Sequence, residues 1–185
     1  TLHSVEEFKI QLLTWAQQFE DIVWLDSNLY QHTHSSYDSI LAVDAFTAIQ
    51  TDSVNGFKKL KEYQSITKDW IFGYLSYDLK NDTEPLKSDN FDGLDFPDLC
   101  FFQPKKLFLF KNNTLIIRYL NFSSDEVDAD LKSIETFSIQ TDSSNKNDIQ
   151  IESRISKKQY INKVSTLLSH IHRGDIYEAN FCQEF

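Results

Sequence analysis

An α+β fold with a largely antiparallel sheet is predicted by three features of this 185-residue sequence. β-type runs outnumber helical ones. Several of them are consecutive. Two of them, residues 99–110 and 114–120, are joined at Asn112-Asn113, residues that tolerate the positive φ of a tight hairpin.

Residues 4–19 predict a helix. Ser4 and Glu7 have capping-box spacing, and Val5, Phe8, Leu12, Trp15, Ala16 and Phe19 form one apolar stripe. Residues 21–26 (DIVWLD) read as a buried strand and 28–36 as a polar loop. A long β-type run covers 37–49, and a short helix is expected over 55–64. Residues 69–78 (DWIFGYLSYD) form a strongly aromatic strand around Gly73. Residues 81–97 are rich in Asp, Asn and Pro and read as a surface loop. After the hairpin, residues 123–137 predict a helix whose acidic residues come early, as the helix dipole prefers. Residues 140–148 (QTDSSNKND) lack any apolar side chain and are the linker candidate.

The last thirty residues carry the sharpest local pattern. Ser156 and Gln159 fit a second capping box, and Tyr160, Ile161, Val164, Leu167, Leu168 and Ile171 repeat at helical spacing. His170, His172 and Arg173 place positive charge in the last turn, and Gly174 suits the left-handed residue that ends a helix. Residues 176–185 then alternate as a strand, with Tyr177, Ala179, Phe181 and Gln183 on one face and Glu178, Asn180, Cys182 and Glu184 on the other. That polar face either lines a site or meets water, and spacing favours water.

Composition narrows the function classes. At 41% hydrophobic and 25% charged residues the chain is an ordinary globular one, with enough length for a sizeable core. Fifteen Phe and eight Tyr make that core rich in rings. A net charge of −10 argues against nucleic acid, whose phosphates demand a basic face. No run approaches the length of a membrane span, and the N-terminus has no signal-peptide pattern. Cys100 and Cys182 are too few for a disulfide framework and read as reduced thiols in a cytoplasmic protein. The chain has no methionine and ends inside a predicted strand, which reads as a piece of a longer protein.

Residue chemistry taken alone is thin. His32 and His34 read as solvated loop residues, since no cysteine or carboxylate cluster supports a metal there. Ser27 lacks the local signature of an activated nucleophile. There is no Gly-rich phosphate loop; Gly56 and Gly93 are expected in turns, Gly73 in a closely packed strand and Gly174 at a helix end.

Three ordered segments nevertheless resemble one family. Gly174-Asp175-Ile176-Tyr177-Glu178-Ala179-Asn180-Phe181 is similar to the "GDIYQVNLSQRF" signature of the component I subunits of anthranilate synthase and para-aminobenzoate synthase, preceded by their helix with Tyr160 and Val164. The segment from Trp70 through Gly73 to Leu79 resembles their "GxxGYLsYDL", with Glu84 near the usual downstream Glu. Trp24 to Ser27, followed by Ser36 to Ala42, resembles "LLdS…SrysilgadP".

The resemblance implies a sandwich of antiparallel sheets flanked by helices, incomplete in this chain. It implies amination of chorismate, ammonia from a glutamine amidotransferase partner, and magnesium holding the substrate carboxylate. The magnesium ligands and most substrate contacts are implied to lie beyond Phe185. Residues 1–139 are then an N-terminal component I domain, 140–148 a linker, and 149–185 the start of the chorismate-binding domain. Glu178 stands where many members carry Gln and where water-adding relatives carry a Lys base. A carboxylate there either orients ammonium, acts as a base, or is a tolerated variant. Ser27 and Tyr37 line, by position, a pocket that holds tryptophan in relatives. Ser36 replaces a frequent Arg, which removes a bidentate hold on an amino-acid carboxylate. Asn180 resembles the para-aminobenzoate branch more than the anthranilate branch. A non-catalytic ligand-binding module is the reading from a different class.

Overall fold

The computed structural model describes residues 4–28, 30, 34–87, 89, 91–137 and 150–185. The chain divides into two compact units, Thr1–Gln140 and Thr141–Phe185. The expected linker over 140–148 lies outside the described residues, as does His32.

The first unit is α+β, as predicted, with a curled antiparallel sheet and flanking helices. Helix α1 (Val5–Ala16) precedes strands β1 (Ile22–Asp26) and β2 (Ser39–Thr51). Helix α2 (Gly56–Thr67), strand β3 (Phe72–Leu75) and a 3-10 turn (Tyr77–Asp82) follow. The hairpin of β4 (Leu99–Lys111) and β5 (Thr114–Tyr119) leads through a second 3-10 turn (Asn121–Glu126) into α3 (Val127–Thr136). The sheet order is β1-β2-β4-β3, and β5 also pairs with β4. Asn112 has φ 51 in the two-residue turn, and Lys111 pairs with Thr114 across it.

The two long central strands are apolar on both faces, the mark of strands covered on each side. Leu41 and Val43 of β2 and Phe108 and Phe110 of β4 turn toward α1 and α3, where they pack with Leu12, Trp15 and Ile134. Trp15 meets Phe108 edge-on at 5.6 Å. The opposite face carries a smaller cluster of Ala42, Phe72, Phe102 and Leu107. The β2–β4 register shifts between Ala45 and Thr47. The Tyr63 hydroxyl enters that break, donating to the Thr47 carbonyl at 2.8 Å and accepting the Gln103 N–H at 3.1 Å.

Several expectations change. Residues 21–26 form an edge strand rather than a buried one, because β1 pairs on one side only and its residues stay half-buried or exposed. The aromatic strand shrinks to Phe72–Leu75, since β4 offers a ladder only from Leu99 to Phe102. Gly56 opens α2 instead of sitting in a turn, and a Cβ there would lie 2.6 Å from Leu79 Cδ1. Gly73 is held by close packing as expected: a Cβ would overlap the Cys100 carbonyl oxygen and stand 2.7 Å from Phe101 Cα.

The second unit is built on α4 (Lys157–Arg173). Its capping box is complete: Ser156 Oγ accepts the Gln159 N–H at 3.3 Å, and Gln159 Oε1 accepts the Ser156 N–H at 2.9 Å. Gly174 closes the helix at φ 85. Tyr160 of the apolar stripe packs on Phe181 at 5.2 Å between ring centroids. The predicted strand over 176–185 is not formed; the segment is irregular. A strand needs a ladder partner, and a helix offers no free backbone edge. The segment returns to its unit through Arg154, whose N–H donates to the Glu184 carbonyl at 3.2 Å and whose guanidinium stands 3.1 Å from the Glu184 carboxylate.

Candidate functional site at the β1–β2 junction

The chain leaves β1 and enters β2 through a hydrogen-bonded corner. The Ser27 N–H donates to the Asp38 carbonyl at 2.9 Å, and the Asp38 N–H donates to the Phe110 carbonyl at 2.8 Å. Asp26 Oδ1 accepts the Asn28 N–H at 2.8 Å, which supports the left-handed Asn28 at φ 48. Asp38 Oδ2 accepts the Asn112 N–H at 2.5 Å and so ties the corner to the β4–β5 turn.

Two depressions flank this corner, and Ser27 borders both. The one beside α1, about 490 Å³, is lined by Glu6, Lys9 and Asp26 among others. The Lys9 ammonium stands 3.4 Å from Asp26 and 3.2 Å from Glu6. The other, about 590 Å³, brings Ser27 together with Tyr37, Asp38, Ser39 and Trp70. Tyr37 meets Trp70 at 6.1 Å in an edge-on arrangement, and Trp70 stacks on Phe72 at 6.0 Å. Ser39 is 1% exposed, and its Oγ has no hydrogen-bond partner among the described residues.

Charge in the second depression is one-sided. Asp26 and Asp38 line it, and no basic side chain does so among the described residues. Ser36, at the place of the family's frequent Arg, is an exposed lining residue without a cation to offer. Asp26 is matched by Lys9, whereas Asp38 makes no ion pair among the described residues.

Glu178 belongs to the second unit, where it is exposed within the irregular segment. The turn before it is pinned by Asp175, whose carboxylate bonds to the Arg173 guanidinium and stands 2.8 Å from His170 Nδ1. The Arg173 bond, and then the His170 bond, hold the Asp175 carboxyl below the usual carboxylate range. His170 thus serves the helix end, in keeping with its place in the last turn.

Among the described residues no group of three or more His, Cys, Asp or Glu side chains converges to hold a metal ion. The described part of this chain therefore does not fit the magnesium that the resemblance implies. No described helix is long and apolar enough to cross a membrane.

Lys9, Asp26, Trp70 and Ser39 belong to this corner and were not singled out from the sequence for a role. Lys9 had a legible signal: it lies between Phe8 and Leu12 on the buried stripe of α1, where a charge demands a partner. Trp70 had only its place in a motif.

Comparison with known proteins adds one match. A family model described as chorismate binding enzyme matches residues 19–185. No curated protein matches the chain.

Proposed function

The chain belongs to the chorismate-binding enzyme family, and on that premise we propose that it is part of a component I subunit of aminodeoxychorismate synthase. Such a subunit aminates chorismate to 4-amino-4-deoxychorismate for folate biosynthesis, with ammonia delivered in the cytoplasm by a glutamine amidotransferase partner. The observation that carries this reading is the family match running through residues 19–185, which takes in the segment from Gly174 to Phe181. Asn180 in that segment favours the folate branch over anthranilate synthesis. The unfilled place of the frequent Arg, at Ser36, weakens a tryptophan-regulated anthranilate reading in the same direction.

Residue roles follow from the same premise. Residues 1–139 act as the N-terminal component I domain, and residues 149–185, after a linker at 140–148, begin the chorismate-binding domain. Ser27 and Tyr37 line a tryptophan-type pocket beside the β1–β2 corner. Glu178 meets the incoming ammonia, either orienting it as ammonium or accepting its proton. Magnesium takes its ligands outside this chain.

Product analysis tests the branch. The full-length protein is incubated with chorismate, ammonium and magnesium. The folate reading expects a non-fluorescent product that yields para-aminobenzoate only after a lyase is added. Direct appearance of fluorescent anthranilate would instead establish the tryptophan branch.

A further inference from the structure

We propose that Asn55-Gly56 is a self-modifying site, at which the folded chain cyclises to a succinimide and reopens chiefly as isoaspartate. The inference stands on this pair and its packing, and is independent of the chorismate reading.

The sequence marks the pair first. Asn55 is the only asparagine of the chain that is followed by glycine. Cyclisation joins the backbone nitrogen of the following residue to the asparagine side chain. Glycine has no Cβ to obstruct that approach, and its backbone reaches conformations that other residues resist. In the first step the Gly56 nitrogen gives its proton to solvent base and attacks Asn55 Cγ. The N–Cγ bond forms, the Cγ–Nδ2 bond breaks, and ammonia leaves with a proton from water. Water then opens the ring. Cleavage of the new N–Cγ bond leaves aspartate. Cleavage at the main-chain carbonyl leaves isoaspartate, with the chain running through the former side chain and the old carbonyl freed as a carboxylate. The sum consumes one water and releases one ammonia, with no change of oxidation state.

The fold leaves the pair open to this chemistry. Asn55 is exposed at the entrance to α2 with φ 55, and its side chain makes no cap bond to the helix. The amide is therefore free to turn toward its own neighbour. The Gly56 N–H is held by the Ser53 carbonyl at 3.3 Å, beyond the usual range for such a bond. Glycine is also fixed there by packing, since a Cβ would stand 2.6 Å from Leu79 Cδ1. Seating α2 against the 3-10 turn thus requires the residue that makes Asn55 labile.

Two other asparagines serve as internal references. Asn28 and Asn112 share the left-handed backbone, at φ 48 and 51, but are followed by Leu29 and Asn113. The side chain on the next residue obstructs the attack at both.

The product would loosen the start of α2. The Asn55 carbonyl accepts the Lys59 N–H at 2.9 Å, and the Phe57 N–H donates to Asp82 Oδ2 at 3.0 Å. Isoaspartate inserts one more atom into the main chain beside these contacts and takes the first acceptor out of the backbone. It also adds a negative charge near the Asp82 carboxylate.

The test ages the full-length protein at body temperature and mildly alkaline pH. Peptides are then mapped by mass, with isoaspartate separated from aspartate by chromatography. Asn55 should convert about tenfold or more faster than Asn28 and Asn112, with isoaspartate the main product. Amide exchange at Phe57 and Lys59 should quicken as conversion proceeds. Asn55→Gln, whose longer side chain closes a larger ring slowly, should keep both amides protected over the same time. The proposal is overturned if Asn55 stays intact, if it converts no faster than the two references, or if it converts only in urea, where the native turn is gone.

Discussion

The Lys9 ammonium stands 3.4 Å from the Asp26 carboxylate, with the two side chains only 10% and 20% exposed. This pair fastens α1 to the end of β1, one residue before Ser27. Lys9 also lies 5.8 Å from the Phe110 ring centroid, so its stem is packed as well as its charge. Lys9→Ala leaves a part-buried carboxylate without its cation and should cost about 2–3 kcal/mol. Lys9→Met keeps the stem and should lose less. Urea unfolding checks this, and equal losses for the two variants would show that the charge alone, and not the packed stem, holds the corner.

A second buried ammonium sets the alkaline limit of the fold. Lys106, with its side chain 4% exposed, donates to Asp130 and lies 2.6 Å from both Asp130 and Glu126. Burial alone would lower its pKa, but the bonds to Asp130 and Glu126 outweigh burial and raise it. Tyr119 donates to the same Asp130 oxygen at 2.8 Å, and burial, followed by that bond, raises its pKa too. Both groups hold protons more tightly in the folded state than in the unfolded chain. Their stabilisation is therefore complete below about pH 10 and is lost as pH climbs above it. Tyr119→Phe should cost about 1 kcal/mol at neutral pH through the lost bond, yet flatten the alkaline decline. Urea midpoints measured from pH 8 to 11 test both statements; an unchanged slope in the variant would contradict the tyrosine's part.

Two glycines should respond differently to alanine. At Gly73 a Cβ would overlap the Cys100 carbonyl oxygen on the neighbouring strand. Relief there requires β3 to part from β4, so Gly73→Ala should lose at least about 3 kcal/mol or fail to fold. At Gly174 nothing lies within 4 Å of a Cβ, and the penalty is the left-handed φ of 85. Gly174→Ala should cost only about 1–2 kcal/mol, felt at the end of α4. Hydrogen exchange locates each loss, and a Gly73→Ala protein as stable as Gly174→Ala would refute the close-packing account.

Tyr63 fills the break in the central ladder. Its hydroxyl bridges the Thr47 carbonyl and the Gln103 N–H at the register shift. Tyr63→Phe leaves both backbone groups without that partner and should cost about 1–3 kcal/mol. Exchange of the Gln103 amide should accelerate selectively; uniform acceleration across the sheet would point to general destabilisation instead.

What could be read in the sequence was what depends on near neighbours. The Ser156–Gln159 box, the Gly174 stop and the Asn112 turn each rest on a few adjacent residues, and all three form as expected. Features that depend on distant partners were not legible. β1 looked buried because its side chains are apolar, and only the strand order shows that it is an edge. Residues 176–185 alternate like a strand, but alternation cannot supply the neighbour that a ladder needs. The candidate corner divides the same way. Ser27 and Tyr37 were reached through resemblance, and the fold places them at one depression. Trp70 arrives there from more than thirty residues away, and its place in a motif does not say that it meets Tyr37.

Chorismate consumption is the most direct test of the enzymatic account. The full-length protein is mixed with chorismate, ammonium and magnesium, and the chorismate remaining is followed by chromatography. The account predicts loss of chorismate that depends on enzyme and on ammonium. Chorismate left intact, even with a glutamine amidotransferase partner present, would contradict it and favour a ligand-binding module.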